Sequence, residues 1–268
     1  MSRIKKCFAK LSEDKKKALI PFITAGDPTL GHTLDLMHGL VNAGADIIEL
    51  GMAFSDPMAD GPVIQLACER ALAAGITIDK TLDIVAAFRQ KDSVTPVVLM
   101  GYLNPIEFFG YEAFAKKAKE SGVDGVLLVD LTPEEAVNVV ECFFENEIDL
   151  IYLLSPTTTL SRAEKICNLA SGYVYYVSVK GVTGSAELDV DSVRSRVDSL
   201  RKITNLPIGV GFGIRDAKTA KLVGDCADGV IVGSVLVNAI ADNKDNSNDV
   251  VIAALTDIVA PMRQSLDA

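Results

Sequence analysis

The sequence predicts an α/β fold: a single (β/α)8 TIM barrel over residues 1–268, with an extra N-terminal helix. Three observations predict it. Eight short runs rich in Val, Ile and Leu alternate with longer amphipathic runs. The short runs are apolar almost throughout rather than at every second position, the pattern of strands buried on both faces of a parallel sheet. No linker-like break interrupts the alternation, and 268 residues suit one barrel-sized domain. A doubly wound open sheet is the alternative, but no GxGxxG follows the first strand to favour it.

The strand candidates are residues 19–24, 46–51, 96–102, 125–130, 149–154, 173–179, 207–212 and 229–233. Between them, residues 33–43 place Leu34, Met37, Leu40 and Val41 at helical spacing. Residues 114–121, 133–146, 161–170, 191–203 and 217–223 behave alike. Pro133 with Glu134 and Glu135 suits a first helical turn, where a missing N–H costs nothing and negative charge faces the dipole. Gly44, Gly75 and Gly122 stand where helices should stop. The extra helix, residues 4–11, precedes the first strand, and residues 250–266 form the last helix. The polar stretch 241–249 reads as an exposed loop.

Composition narrows the function classes. The net charge is −10, and Lys15-Lys16-Lys17, the densest basic cluster, reads as a solvated helix end; nucleic acid is not an expected partner. No apolar run reaches membrane-spanning length, so no membrane partner is expected. The five cysteines are odd in number and form no CxxC, and the N-terminus lacks the apolar core of a signal peptide. Both features point to a reduced, cytoplasmic protein.

Barrel chemistry sits on the loops that follow the strands. Glu49 is a carboxylate inside an apolar strand, near its C-terminal end. It is either a structural acid satisfied by hydrogen bonds or a general acid/base whose pKa is raised by desolvation. The following loop, residues 54–62, is long and holds Asp56, Pro57, Asp60 and Pro62. Turn-and-cap roles would explain these acids singly; with Glu49 one strand end away, an acid pair over the barrel mouth is the better reading. Glycines cluster at the last three strand ends: Gly181 and Gly184, then Gly209, Gly211 and Gly213, then Gly233 with Ser234. Turn glycines would explain each alone, whereas together they suit a phosphate approached by backbone N–H groups. His32 and His38, the two histidines, both fall on the first helix after a strand, so a His-based metal site is not expected. Lys180 is a weak candidate for a Schiff base. What remains is acid/base chemistry on a small, phosphorylated, partly apolar substrate.

The runs Pro21-Phe-Ile-Thr-Ala-Gly-Asp-Pro28 and Glu49-Leu-Gly-Met-Ala-Phe-Ser-Asp-Pro-Met-Ala-Asp-Gly-Pro62 resemble the tryptophan synthase α subunit family. Met100-Gly-Tyr-Leu-Asn-Pro105, Gly181-Val-Thr-Gly184 and Gly211-Phe-Gly213 extend the likeness over nearly the whole chain. The resemblance implies a lyase of tryptophan biosynthesis that cleaves indole-3-glycerol phosphate to indole and glyceraldehyde 3-phosphate. By resemblance Glu49 is the acid/base, Asp60 binds the indole N–H, and Tyr175 is an active-site tyrosine, or else a packing aromatic. Gly184, Gly213, Gly233 and Ser234 would hold the phosphate. Phe22, Met100, Leu127, Leu153 and Phe212 would line the indole pocket, although each alone fits ordinary barrel core. Thr183 would help a loop close over substrate. No cofactor is implied on this chain; pyridoxal phosphate belongs to the partner β subunit, docked near Asp56 and Pro57 in an α2β2 heterotetramer. Ala53, where the family usually has proline, and Val179-Lys180 depart from the pattern. Two rivals share parts of these observations: another phosphate-binding barrel enzyme, and a barrel retained only to activate a partner.

Overall fold

Eight parallel strands close on themselves in chain order: β1 (Ala18–Thr24), β2 (Ile48–Gly51), β3 (Val97–Gly101), β4 (Gly125–Leu128), β5 (Asp149–Leu154), β6 (Val174–Val177), β7 (Ile208–Gly211) and β8 (Gly229–Val232). The computed structural model describes residues 1–178, 189–211 and 213–268. β1 pairs with β8 as well as β2, so no sheet edge remains open. Helix α1 (Arg3–Glu13) precedes the barrel. Around it run α2 (Thr33–Asn42), α3 (Pro62–Ala73), α4 (Ile78–Arg89), α5 (Leu103–Phe109), α6 (Tyr111–Ser121) and α7 (Val137–Glu145). Then come α8 (Leu160–Leu169), α9 (Val190–Leu200), α10 (Ala217–Gly224), α11 (Ser234–Asp242) and α12 (Asn248–Asp267).

The near-continuous apolarity of the strands has a two-sided cause. Leu19, Ile48, Leu50, Val126, Val210 and Val230 point outward into the layer beneath the helices. Ile20, Ile47, Val98, Leu127, Ile151, Tyr173, Tyr175 and Ile231 point inward and fill the barrel. The extra helix stoppers that interior: Ile4, Phe8 and Leu11 are buried at i, i+4 and i+7 and join the inner cluster. Phe8 packs against Tyr173 with ring centroids 5.8 Å apart. Gly125 leaves room for Ile4, whose Cδ1 would lie 3.0 Å from a Cβ placed there. With its N-terminal end plugged, the barrel is left its C-terminal end for chemistry.

A fourfold device fixes the plugged end. Asp46, Asp124, Ser171 and Asp228 each stand just before an even-numbered strand. Their side chains accept the N–H of Leu19 (2.8 Å), Val97 (2.9 Å), Leu150 (2.8 Å) and Ile208 (2.9 Å), each near the start of the preceding strand. Each donates its own N–H back to the carbonyl of the same residue, at 2.9 Å in all four cases. Arginines neutralise the three acids: Arg263 on Asp46, Arg3 and Arg89 on Asp124, and Arg201 on Asp228.

Three local expectations need correction. The helix expected over 133–146 begins only at Val137. Glu134 is drawn into a two-pronged pair with Arg162 of α8 (2.8 and 3.1 Å), and Glu135 closes a turn on Thr132, so neither serves the helix dipole. The loop expected over 241–249 is present but shorter, residues 243–247, since α11 runs to Asp242 and α12 starts at Asn248. Helices α3, α4, α5 and α11 did not appear among the sequence candidates.

Candidate active site

Strand alternation decides where Glu49 points. Ile48 and Leu50 face the helices, so Glu49 turns inward with Ile47. It is 1% exposed, and among the described residues it has no ion-pair partner. Its one hydrogen bond shown is long: the Tyr173 hydroxyl donates to Oε1 at 3.5 Å. Burial penalises the carboxylate and pushes its pKa from 4.5 up to about 8, with the Tyr173 bond pulling weakly the other way. Glu49 therefore rests as a neutral acid at pH 7, with a pKa that suits both giving and taking a proton near neutrality.

Asp60 comes from the loop that leaves β2. The loop is internally tied: Asp60 N–H donates to the Pro57 carbonyl (3.0 Å), and Gln65 Nε2 donates to the Asp60 carbonyl (2.9 Å). The Tyr102 hydroxyl donates to Asp60 Oδ2 at 2.9 Å. Burial raises the Asp60 pKa and the Tyr102 bond lowers it. Tyr175 is buried on β6 and packs in the inner cluster with Tyr173. Burial first, then the Glu49 and Asp60 carboxylates, raise its own pKa.

The register assembles the apolar candidates around the acids. Phe22 pairs with Glu49, Met100 with Leu127, and Leu153 with Tyr175. Phe22 and Met100 line a small cleft with Asp60, Ile64, Cys68 and Tyr102. Leu127 is fully buried in the inner cluster, and Leu153 packs at its margin. A wider concavity lies at the opposite end, among Arg3, Lys6, Lys10 and Lys16 of the α1 region, and contains none of these residues.

Gly233 and Ser234 form the N-cap and first residue of α11; the N–H of Leu236 closes on the Gly233 carbonyl at 2.9 Å, and the N–H groups of the helix start before it have no i−4 carbonyl within the helix. Gly233 abuts Phe22, whose Cβ would lie 3.7 Å from a Cβ placed on the glycine. Gly213 has φ 77°, a conformation that favours glycine. Gly184, Thr183 and Phe212, along with Gly181 and Lys180, lie outside the described residues. Gly209 and Gly211, pooled with the phosphate glycines from sequence, serve another purpose. A Cβ on Gly211 would overlap the Tyr175 hydroxyl, and one on Gly209 would crowd Ile231 Cδ1 at 3.0 Å. Gly211 makes room for Tyr175 of β6 and Gly209 for Ile231 of β8. Asp56 is exposed and accepts from the Ser55 hydroxyl at 2.5 Å, while Pro57 is half-buried.

Sequence reasoning missed Tyr102 and Tyr173, the two hydroxyls that touch the acids among the described residues. The available signal was position: Tyr102 closes the third apolar run, at a strand's C-terminal end, and Tyr173 shares the parity of Tyr175.

A family model described as "Tryptophan synthase alpha chain" matches residues 8–266. A tryptophan synthase alpha chain of Marinobacter nauticus is 59% identical, over 100% of this chain and 99% of the relative. One from Cupriavidus pinatubonensis is 56% identical, over 100% of both. The crystal structure of tryptophan synthase subunit alpha from Legionella pneumophila superposes with a TM-score of 0.92 at 45% identity, covering 100% of this chain and 99% of that one. A tryptophan synthase structure from Mycobacterium tuberculosis gives 0.88 at 30% identity, over 99% and 100%. The chain belongs to the tryptophan synthase alpha chain family.

Proposed function

We propose that Glu49, Asp60 and Tyr175 carry out this chain's reaction. The chain is a lyase of tryptophan biosynthesis that splits indole-3-glycerol phosphate into indole and glyceraldehyde 3-phosphate and works with the tryptophan synthase β subunit. The observation that supports the assignment best is Glu49: a buried acid with no cation paired to it among the described residues, kept protonated up to about pH 8.

The reaction needs one proton placed and one removed. Glu49 gives its proton to C3 of the indole ring, leaving a cationic indolenine. The side-chain hydroxyl beside the scissile bond then loses its proton to the Glu49 carboxylate. The carbon–carbon bond breaks, its electron pair returns to the ring, and the aldehyde forms. Glu49 ends as it began, protonated. Asp60 accepts the indole N–H and stabilises the cation. Tyr175 borders the reacting carbons. Phe22, Met100, Leu127, Leu153 and Phe212 enclose the ring; Gly184, Gly213, Gly233 and Ser234 hold the phosphate, and Thr183 closes the loop over it. Pyridoxal phosphate is a group of the β subunit, and this chain uses no cofactor of its own. One domain spans residues 1–268. The enzyme works in the cytoplasm, a reading supported by five unpaired cysteines. Among the described residues no helix is long and apolar enough to cross a membrane.

The test is indole release from indole-3-glycerol phosphate, with and without the β subunit. Glu49→Gln should retain the fold and lose about 10²–10⁴-fold in turnover; unchanged turnover would remove Glu49 from the chemistry. Asp56 and Pro57 are assigned to the β-subunit interface. Asp56→Ala should shift the β-subunit titration of activity to higher concentration, and an unmoved titration would remove Asp56 from that surface.

A further inference from the structure

The proposed site leaves one polar group beside Asp60 without a role. Tyr102 sits at the end of β3 as the N-cap of α5 and is 4% exposed. Its hydroxyl works in two directions. It accepts the N–H of Ala59 at 3.0 Å and donates to Asp60 Oδ2 at 2.9 Å. Its ring packs against Phe54, with centroids 5.4 Å apart, at the start of the same loop. Tyr102 is anchored in turn: Asp130, beyond β4, accepts the N–H of Leu103 at 2.8 Å. So three successive strand ends are tied, and the segment from Phe54 to Asp60 is held at both ends by one side chain.

We propose that Tyr102 is the positioning residue of Asp60, holding the carboxylate ionised through Oδ2 and leaving Oδ1 to the substrate N–H. This rests on the assignment of Asp60 as the group that meets the indole nitrogen. The physical grounds are simple. A half-buried carboxylate facing an apolar cleft tends to take up a proton, and a neutral acid stabilises a cationic ring poorly. A hydroxyl donor favours the ionised form and fixes which oxygen is available. Burial and the nearby Asp60 raise the titration of Tyr102 itself, so it stays a neutral donor. The bond to Ala59 sets the backbone just before Asp60, so one hydroxyl fixes both the side chain and its platform.

The test is a double-mutant cycle on the α–β complex with Tyr102→Phe, Asp60→Asn and the pair. Tyr102→Phe keeps the ring and its packing on Phe54. It should lower kcat by about 10- to 100-fold, the worth of a hydrogen bond to a charged group. It should also move the acid limb of the kcat/KM profile upward, by about one pH unit. In the Asp60→Asn background the same change should cost less than about twofold. Binding of glycerol 3-phosphate, read by calorimetry, should be unchanged, because the phosphate site lies on other strands. Losses that multiply through the cycle would leave Asp60 its role and remove that of Tyr102. Wild-type turnover or an unmoved acid limb in Tyr102→Phe, or lost glycerol 3-phosphate binding, would likewise overturn the proposal. Wild-type turnover in Asp60→Asn would strike at the assignment of Asp60 instead, and the proposal would fall with it.

Discussion

Replacing Glu49 by Gln takes one titrating proton out of the barrel interior while keeping the length of the side chain and an acceptor for Tyr173. In the folded protein the group titrates at about 8, against 4.5 in its ordinary setting. Between those values the folded protein holds a proton that the unfolded chain releases. Stability from this group is therefore fully present below 4.5 and is lost as the pH rises through 8. At ~1.4 kcal/mol per unit, the wild type loses about 4 kcal/mol between about pH 5 and about pH 9 on this account. The Gln variant loses none of it. Urea unfolding followed by circular dichroism across that range, at constant m, reads the difference directly. The two proteins should be close in stability at the acid end and diverge in favour of the variant as pH rises. Turnover should run the other way, absent in the variant and falling in the wild type as Glu49 ionises. Stability curves that stay parallel with pH would refute the premise of a neutral, buried Glu49, and with it the account of how the first proton is delivered.

Two further outcomes follow from the same geometry. Asp124→Ala should destabilise the fold by about 3–5 kcal/mol in urea, because it strands the largely buried Arg89 and frees the Val97 N–H; a loss below 1 kcal/mol would mean that the arginine finds other partners at no cost. Gly233→Val should weaken glycerol 3-phosphate binding more than indole binding in calorimetry, since the nearest atom to a Cβ there is 3.7 Å away and the fold can accept the side chain; equal losses for both ligands would assign the glycine to the fold.

The sheet was legible because burial on two faces writes itself into each strand as a continuous apolar run, and all eight runs became strands. Four helices were not. α4 carried a readable start, for the Thr77 hydroxyl accepts the N–H of Lys80 at 3.2 Å. α11 begins on glycine and serine directly after β8, so its apolar residues merge with those of the strand. The late start of α7 was invisible, because Glu134 answers to Arg162, 28 positions away. The site divides in the same manner. Glu49 stood out as an acid in an apolar run, and Asp60 as an acid in an overlong loop. The hydroxyls that act on them come from residues 124 and 42 positions distant, and only closure of the barrel brings them near. Gly211 misled for a related reason: what needs its missing Cβ is Tyr175 on the neighbouring strand, which the local sequence does not name.

What sets the two acids proposed to react apart from the structural ones is the partner, not depth or the end of the barrel. Asp46, Asp124 and Asp228 each have an arginine and a backbone N–H to accept their charge, and they fix the plugged end. Position alone could suggest that acids at the other end are reactive because they lie there. Asp27 argues against that. It follows β1 at the same end as Asp60 and is 1% exposed, yet Arg70 holds both of its oxygens, at 2.7 and 2.9 Å. The arginine takes one bond on each oxygen and balances the charge of that carboxylate. Glu49 and Asp60 are given hydroxyl partners in place of arginine. A hydroxyl orients a carboxylate without cancelling its charge, so burial raises the pKa of Glu49 and Asp60; burial raises that of Asp46 too, but there the Leu19 N–H and Arg263 pull it back. On the proposed assignment, that uncancelled cost lets Glu49 hold a proton at neutral pH and take it back after giving it up, as cleavage of a carbon–carbon bond between an indole ring and a carbinol requires.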